Sequence, residues 1–183
     1  MKNVSAIKFA MMAIALSAVF DVSAATLTVN GNIVPQTCTI AAANMNQTVT
    51  LPTVGASDML NALHLIPVTF QFGLSGCDQT YQTAAVTLNG TSAVSDVAGF
   101  NSVIANTGTA GNVGIGIIGA TTVDSNPTGP LGLNTVSAKA PLTGVGAKSG
   151  TLYLRAQIVP LLKATAVSPG TVTGTATATF TYA

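Results

Sequence analysis

The sequence predicts an all-β sandwich, and three observations carry that expectation. Runs rich in Val, Thr, Ile and aromatic residues recur along the chain, cut by the Gly, Pro, Asn and Asp that supply turn geometry. Eighteen Gly and eight Pro suit turns better than long helices. No repeat period is visible, which argues against a solenoid or a propeller.

The chain opens on a segment that reads as a secretory leader. Lys2 and Lys8 give it a positive start, residues 9–20 are almost unbroken apolar, and Val22-Ser23-Ala24 or Ser23-Ala24-Ala25 matches the pattern a signal peptidase cuts. The apolar run is shorter than the roughly 18 residues that span a bilayer, and Asp21 ends it, so no stable membrane insertion is expected. Residues 1–24 are therefore expected to be removed on export, and residues from 25 onward make one ordinary domain able to bury a core.

Residues 26–34 alternate in character and lead to Cys38-Thr39-Ile40. Residues 47–51 read as a short strand stopped at Pro52, and residues 56–65 as a loop with at most one helical turn. Residues 68–74 place Phe70, Phe72 and Leu74 on one face. Residues 84–88 end at Asn89-Gly90, a strong two-residue hairpin signal. Residues 113–118 and 151–158 are further apolar strands, while 101–111 and 124–132 read as long surface loops. The last strand covers residues 171–182. From Thr175 onward it is two-faced, with Thr175, Thr177, Thr179 and Thr181 opposite Ala176, Ala178, Phe180 and Tyr182.

Cys38 and Cys77 are the two cysteines of the chain, and in an oxidising compartment they should pair. Closing a loop of about 40 residues stabilises a fold by roughly 4 kcal/mol in the chain-entropy view. Charged residues make up 6% of the chain, there is no Glu, and the net charge is +1, so no basic surface awaits nucleic acid. A surface so poor in charge has little electrostatic protection against self-association.

Catalysis needs titratable groups brought together, and few are present. His64, the single histidine, lies among leucines with no framing nucleophile or acid. Asp58, Asp78 and Asp124 sit beside turn residues, where aspartate usually accepts from backbone amides. Gly114, Gly116 and Gly119 have the look of a nucleotide loop, but no helix follows them; close backbone approach within a sheet fits better. No enzyme, cofactor or metal site is expected. Three Tyr and no Trp give little platform for a sugar.

Short segments in a particular order carry a family resemblance. They are the leader, Gly31-Asn32-Ile33-Val34 ahead of Cys38, and Phe70-Gln71-Phe72-Gly73-Leu74-Ser75-Gly76-Cys77-Asp78. Val113-Gly114-Ile115-Gly116-Ile117, Leu152-Tyr153-Leu154-Arg155-Ala156, and Gly170 fourteen places from the end with Tyr182 next to last complete the set. Over essentially its whole length beyond the leader, the chain resembles fimbrial subunits of the chaperone–usher kind, like those of type 1 pili. Leu51-Pro52 departs from the pattern, which more often has glycine after the leucine; this touches a turn.

The resemblance implies an incomplete immunoglobulin-like sandwich, lacking its last strand, over residues 38–183. It implies a structural subunit of a surface fimbria that supports adhesion. Its partners would be a periplasmic chaperone, an outer-membrane usher and neighbouring subunits. Residues 25–37 would be the donor extension, with Leu27, Val29, Gly31 and Ile33 on one face at period two. Asn30-Gly31 is also a good hairpin turn, so the segment folding back on itself is the competing local reading. The carboxyl strand, with Gly170, Ala176, Ala178, Phe180 and Tyr182, would face chaperone and usher. The alternative function is a single-domain adhesin or lectin gripping a host ligand through residues 101–111 or 124–132.

Overall fold

Alternation of apolar and polar residues builds two facing sheets. The computed structural model describes residues 37–60, 66–120, 129–137 and 139–183. These lie in one unit, Val34–Ala183. In chain order the elements are β1 (Thr39–Ile40), α1 (Ala42–Met45), a 3-10 turn at Asp58–Leu60, β2 (Val68–Cys77), β3 (Thr83–Asn89) and β4 (Ser92–Ala93). There follow β5 (Val103–Ala105), β6 (Val113–Ala120), β7 (Gly129–Leu131), β8 (Ala140–Pro141), β9 (Lys148–Pro160) and β10 (Thr177–Tyr182).

The larger sheet runs β1-β2-β9-β6-β5-β4, with β7 also on β6; the smaller runs β10-β3-β8. All pairings are antiparallel. Its centre is β9, which holds β2 from Val68↔Ala156 to Cys77↔Lys148 and β6 from Val113↔Pro160 to Ala120↔Tyr153. Because side chains alternate, this register puts Phe72, Leu74, Leu152, Leu154, Ala156, Ile115 and Ile117 together on the inner face. Ala84, Val86 and Leu88 of β3 oppose them. Burying such aliphatic side chains stabilises the fold by about 1.5–3 kcal/mol each.

Gly114 and Gly116 of β6 sit on the other face. A Cβ at Gly116 would lie 2.6 Å from the Phe100 ring, and one at Gly114 would lie 2.6 Å from Val103 Cγ2. They admit a second cluster of Val97, Phe100, Val103 and Val159 under the segment after β4. Close approach, not a nucleotide loop, is the reason for that glycine spacing.

Several expectations are corrected. Residues 47–51 form no strand, although Val49 and Leu51 pack on the core. Asn89-Gly90 makes no hairpin: β3 is already flanked by β10 and β8, and β4 pairs β5 in the other sheet. The stretch 101–111 contains β5, whose Val103 and Ile104 are buried, and 124–132 contains β7, so neither is a plain loop. The final strand begins at Thr177, not at 171. Residues before it are tied to 106–111 instead, with Thr107 N donating to Thr173 O at 2.8 Å and Ala110 N to Thr171 O at 3.0 Å. α1 was not foreseen. Of residues 56–65, only 56–60 are described and they make turns; His64 lies outside the described residues, as do the strand expected at 26–34 and Asp124.

Candidate functional site

Where the two sheets part, a groove of about 520 Å³ reaches down to the core. One wall is β10 and the residues leading to it, Gly174, Ala176, Ala178 and Phe180. The other is the segment after β1, through Ile40, Met45, Val49 and Leu51. Phe70, Phe72, Leu88, Ile104, Ile115, Ile117 and Ala156 line the space between. Phe72, Leu88, Ile104, Ile115, Ile117 and Ala156 form a buried floor, while Phe70, Ala178 and Phe180 are half-buried along its sides. The site is apolar, and among the described residues no group of three His, Cys, Asp or Glu gathers to hold a metal.

β10 follows the alternation of its sequence. Thr177, Thr179 and Thr181 are exposed, whereas Ala178, Phe180 and Tyr182 are half-buried against the core. Phe180 meets Phe72 edge to face at 5.2 Å, Phe72 meets Phe70 at 6.0 Å, and Tyr182 lies on Tyr81 at 5.5 Å. Burial, and then the neighbouring Tyr81, raise the Tyr182 phenol above the usual tyrosine range.

The register fixes which backbone groups of β10 remain open. Ala183 and Thr83 exchange both main-chain bonds, at 2.8 and 3.0 Å. In an antiparallel pair such bonds recur at every second residue, so Thr181, Thr179 and Thr177 bond β3 through Ala85, Thr87 and Asn89. Ala178, Phe180 and Tyr182 turn their N–H and C=O groups to the opposite edge, where no described strand pairs. Side chains of those same three residues point into the sandwich.

The predicted site residues fall into three groups. Cys38 and Cys77 are bridged, with Cα atoms 4.0 Å apart. Ala178, Phe180 and Tyr182 lie together on β10; Ala176 precedes it, exposed but lining the groove, and Gly170 crosses so close to Thr109 and Ala110 that a Cβ would strike their backbone. Leu27, Val29, Gly31 and Ile33 lie outside the described residues. Sequence reasoning missed the polar rim of the second wall. Asn44 Oδ1 accepts from Gly73 N at 2.8 Å, and Gln47 Nε2 donates to Gln71 O at 2.7 Å. The amide-rich stretch Asn44-Met45-Asn46-Gln47 was the available signal.

Fold and groove together define an immunoglobulin-like β-sandwich one strand short. The profile of the family described as "Fimbrial protein" matches residues 27–183, and the chain belongs to that family. It is a structural subunit of a bacterial surface fimbria. Among solved structures it is similar to a chaperone–usher pilus determined to explain rod uncoiling, with 16% identity, a TM-score of 0.58, and coverage of 90% of this chain and 99% of that one. It is similar also to the P pilus rod subunit PapA, with 17% identity, a TM-score of 0.58, and coverage of 81% and 100%. No curated protein matches the sequence.

Proposed function

We propose that the subunit polymerises by donor-strand exchange, its groove receiving the amino-terminal extension of a neighbour. The observation that supports this most directly is the coincidence of an apolar groove with the open edge of β10. An added strand would find main-chain partners at Ala178, Phe180 and Tyr182 and seat its side chains against the apolar lining of the groove at the same time. The extension has the matching pattern: Leu27, Val29, Gly31 and Ile33 lie at period two. Burying Leu27, Val29 and Ile33 would contribute about 1.5–3 kcal/mol each, and each main-chain bond about 0.5–1.5 kcal/mol. A periplasmic chaperone would fill the groove first, and an outer-membrane usher would be the place where the next subunit replaces it.

A synthetic peptide of residues 25–37 tests the reading. It should displace the chaperone from the subunit, while the same peptide carrying Gly31→Leu should not, because a bulky side chain overpacks a groove by about 1–3 kcal/mol. Equal exchange by both peptides, followed by native mass spectrometry, would count against a groove-facing Gly31 and favour the local hairpin at Asn30-Gly31.

A further inference from the structure

Two sheet edges border the groove, and they are left in different states. β10 presents the main-chain groups of Ala178, Phe180 and Tyr182 with no described strand against them. The edge of β2 away from β9 is paired with β1 at Ser75 and Leu74, and then the strand partner stops. Its next outward groups are nevertheless answered. Gly73 O accepts from Ala41 N at 3.0 Å, Gly73 N donates to Asn44 Oδ1 at 2.8 Å, and Gln71 O accepts from Gln47 Nε2 at 2.7 Å. Gln47 Nε2 also reaches Asn44 O at 3.3 Å, which ties the two residues to each other. The single turn of α1 brings Asn44 back over β2, and Gly73 makes room for it: a Cβ there would stand 3.3 Å from Oδ1.

Side-chain amides thus imitate a strand. They supply an acceptor at Gly73 and a donor at Gln71, two residues apart on the same edge, the spacing at which an antiparallel strand would bond. An edge of β-sheet left bare beside apolar surface recruits any strand that reaches it. We propose that Asn44 and Gln47 are positioning residues that close the β2 edge, so that an incoming strand pairs along β10 and not along β2. The proposal rests on the donor-strand reading given above. It goes beyond that reading in naming what keeps the second edge from competing.

The chain from residue 25 onward, produced with its chaperone and released from it in dilute solution with its disulfide formed, is the material for the test. The chemistry of the amides predicts an asymmetric result. Asn44→Asp keeps an acceptor for Gly73 N and should behave as wild type; Asn44→Leu has none, and Gln47→Glu offers Gln71 O no donor. In the Asn44→Leu/Gln47→Glu variant the Gly73 amide should exchange with deuterium at least about fivefold faster, the ratio one ordinary hydrogen bond is worth. Titration with the residue 25–37 peptide should change from one bound per chain to two, with Gly73 regaining protection as the second binds. If the variant exchanges Gly73 as wild type does, or takes one peptide with protection at Ala178, Phe180 and Tyr182 only, the proposal is overturned. Failure of the peptide to protect those three residues in wild type would instead sink the donor-strand reading. Gly73 exchange and concentration-dependent self-association of the free variant would then decide the guard: increases in both support it, and values equal to wild type reject it.

Discussion

At Gly116 a hydrogen atom is the only side chain the packing admits. The ring of Phe100 would lie 2.6 Å from any Cβ there, and Val159 Cγ1 3.1 Å away. Neither neighbour can yield easily, since Val159 is fully buried. Gly116→Val should therefore lower stability by about 1–3 kcal/mol or more, read as a reduced unfolding midpoint of the chaperone-bound or donor-complemented subunit. An unchanged midpoint would mean the cluster of Val97, Phe100, Val103 and Val159 can repack. Tyr182 makes a second prediction. Its phenol is raised by burial and then by Tyr81, so the folded state favours the neutral ring. That contribution is complete below the ordinary tyrosine value of about 10 and is lost as pH rises through the higher folded value. As pH rises above about 10, wild type should lose stability more steeply than Tyr182→Phe, which has no phenol to ionise. Parallel pH profiles would contradict the placement of this ring against the core.

At the scale of elements, the strands most legible in the sequence are those whose partners leave one face wet. The alternation of 177–182 gives β10 with its faces correctly assigned, and Phe70, Phe72 and Leu74 share a face in β2 as their spacing implies. Less legible are elements decided by distant partners. Asn89-Gly90 has the local chemistry of a hairpin, yet β3 is paired on both sides, so the chain crosses to the other sheet. Residues 47–51 carry strand-like alternation but have no strand beside them; Val49 and Leu51 face the groove without a ladder. The polar rim of Asn44 and Gln47 was signalled by the amide-rich stretch 44–47 alone, and asparagine and glutamine carry no pattern that tells an edge cap from a solvated turn. Phe180 gives the element-scale prediction. It holds β10 to the larger sheet through Phe72 and is half-buried, so Phe180→Ala should cost about 2–3 kcal/mol, less than the roughly 3–5 kcal/mol of a fully buried phenylalanine. Periplasmic subunit levels and co-purification with the chaperone should both fall; normal values would show that β10 docks without it.

For the whole molecule, the apolar groove and the low charge act in the same direction. A surface with 6% charged residues offers little repulsion, and the groove offers apolar contact beside a β10 edge with no described strand against it. The subunit expressed from residue 25 onward without chaperone should associate or be degraded. Fusing residues 25–37 behind the carboxyl end should yield a monomer. A monodisperse, cooperatively melting unfused chain would contradict the incompleteness of the sandwich.

The bridge between Cys38 and Cys77 has a consequence for tension. β1 is two residues long, and the segment after it carries Ile40, Val49 and Leu51 of the groove wall. A pull on the chain ahead of Cys38 would otherwise peel that wall away one bond at a time. With the bridge in place, the load passes from Cys38 directly to the end of β2, whose register with β9 runs from Val68 to Cys77 and must be sheared as a unit. Force is thereby carried around the groove wall, and the wall keeps its shape while the molecule is stretched.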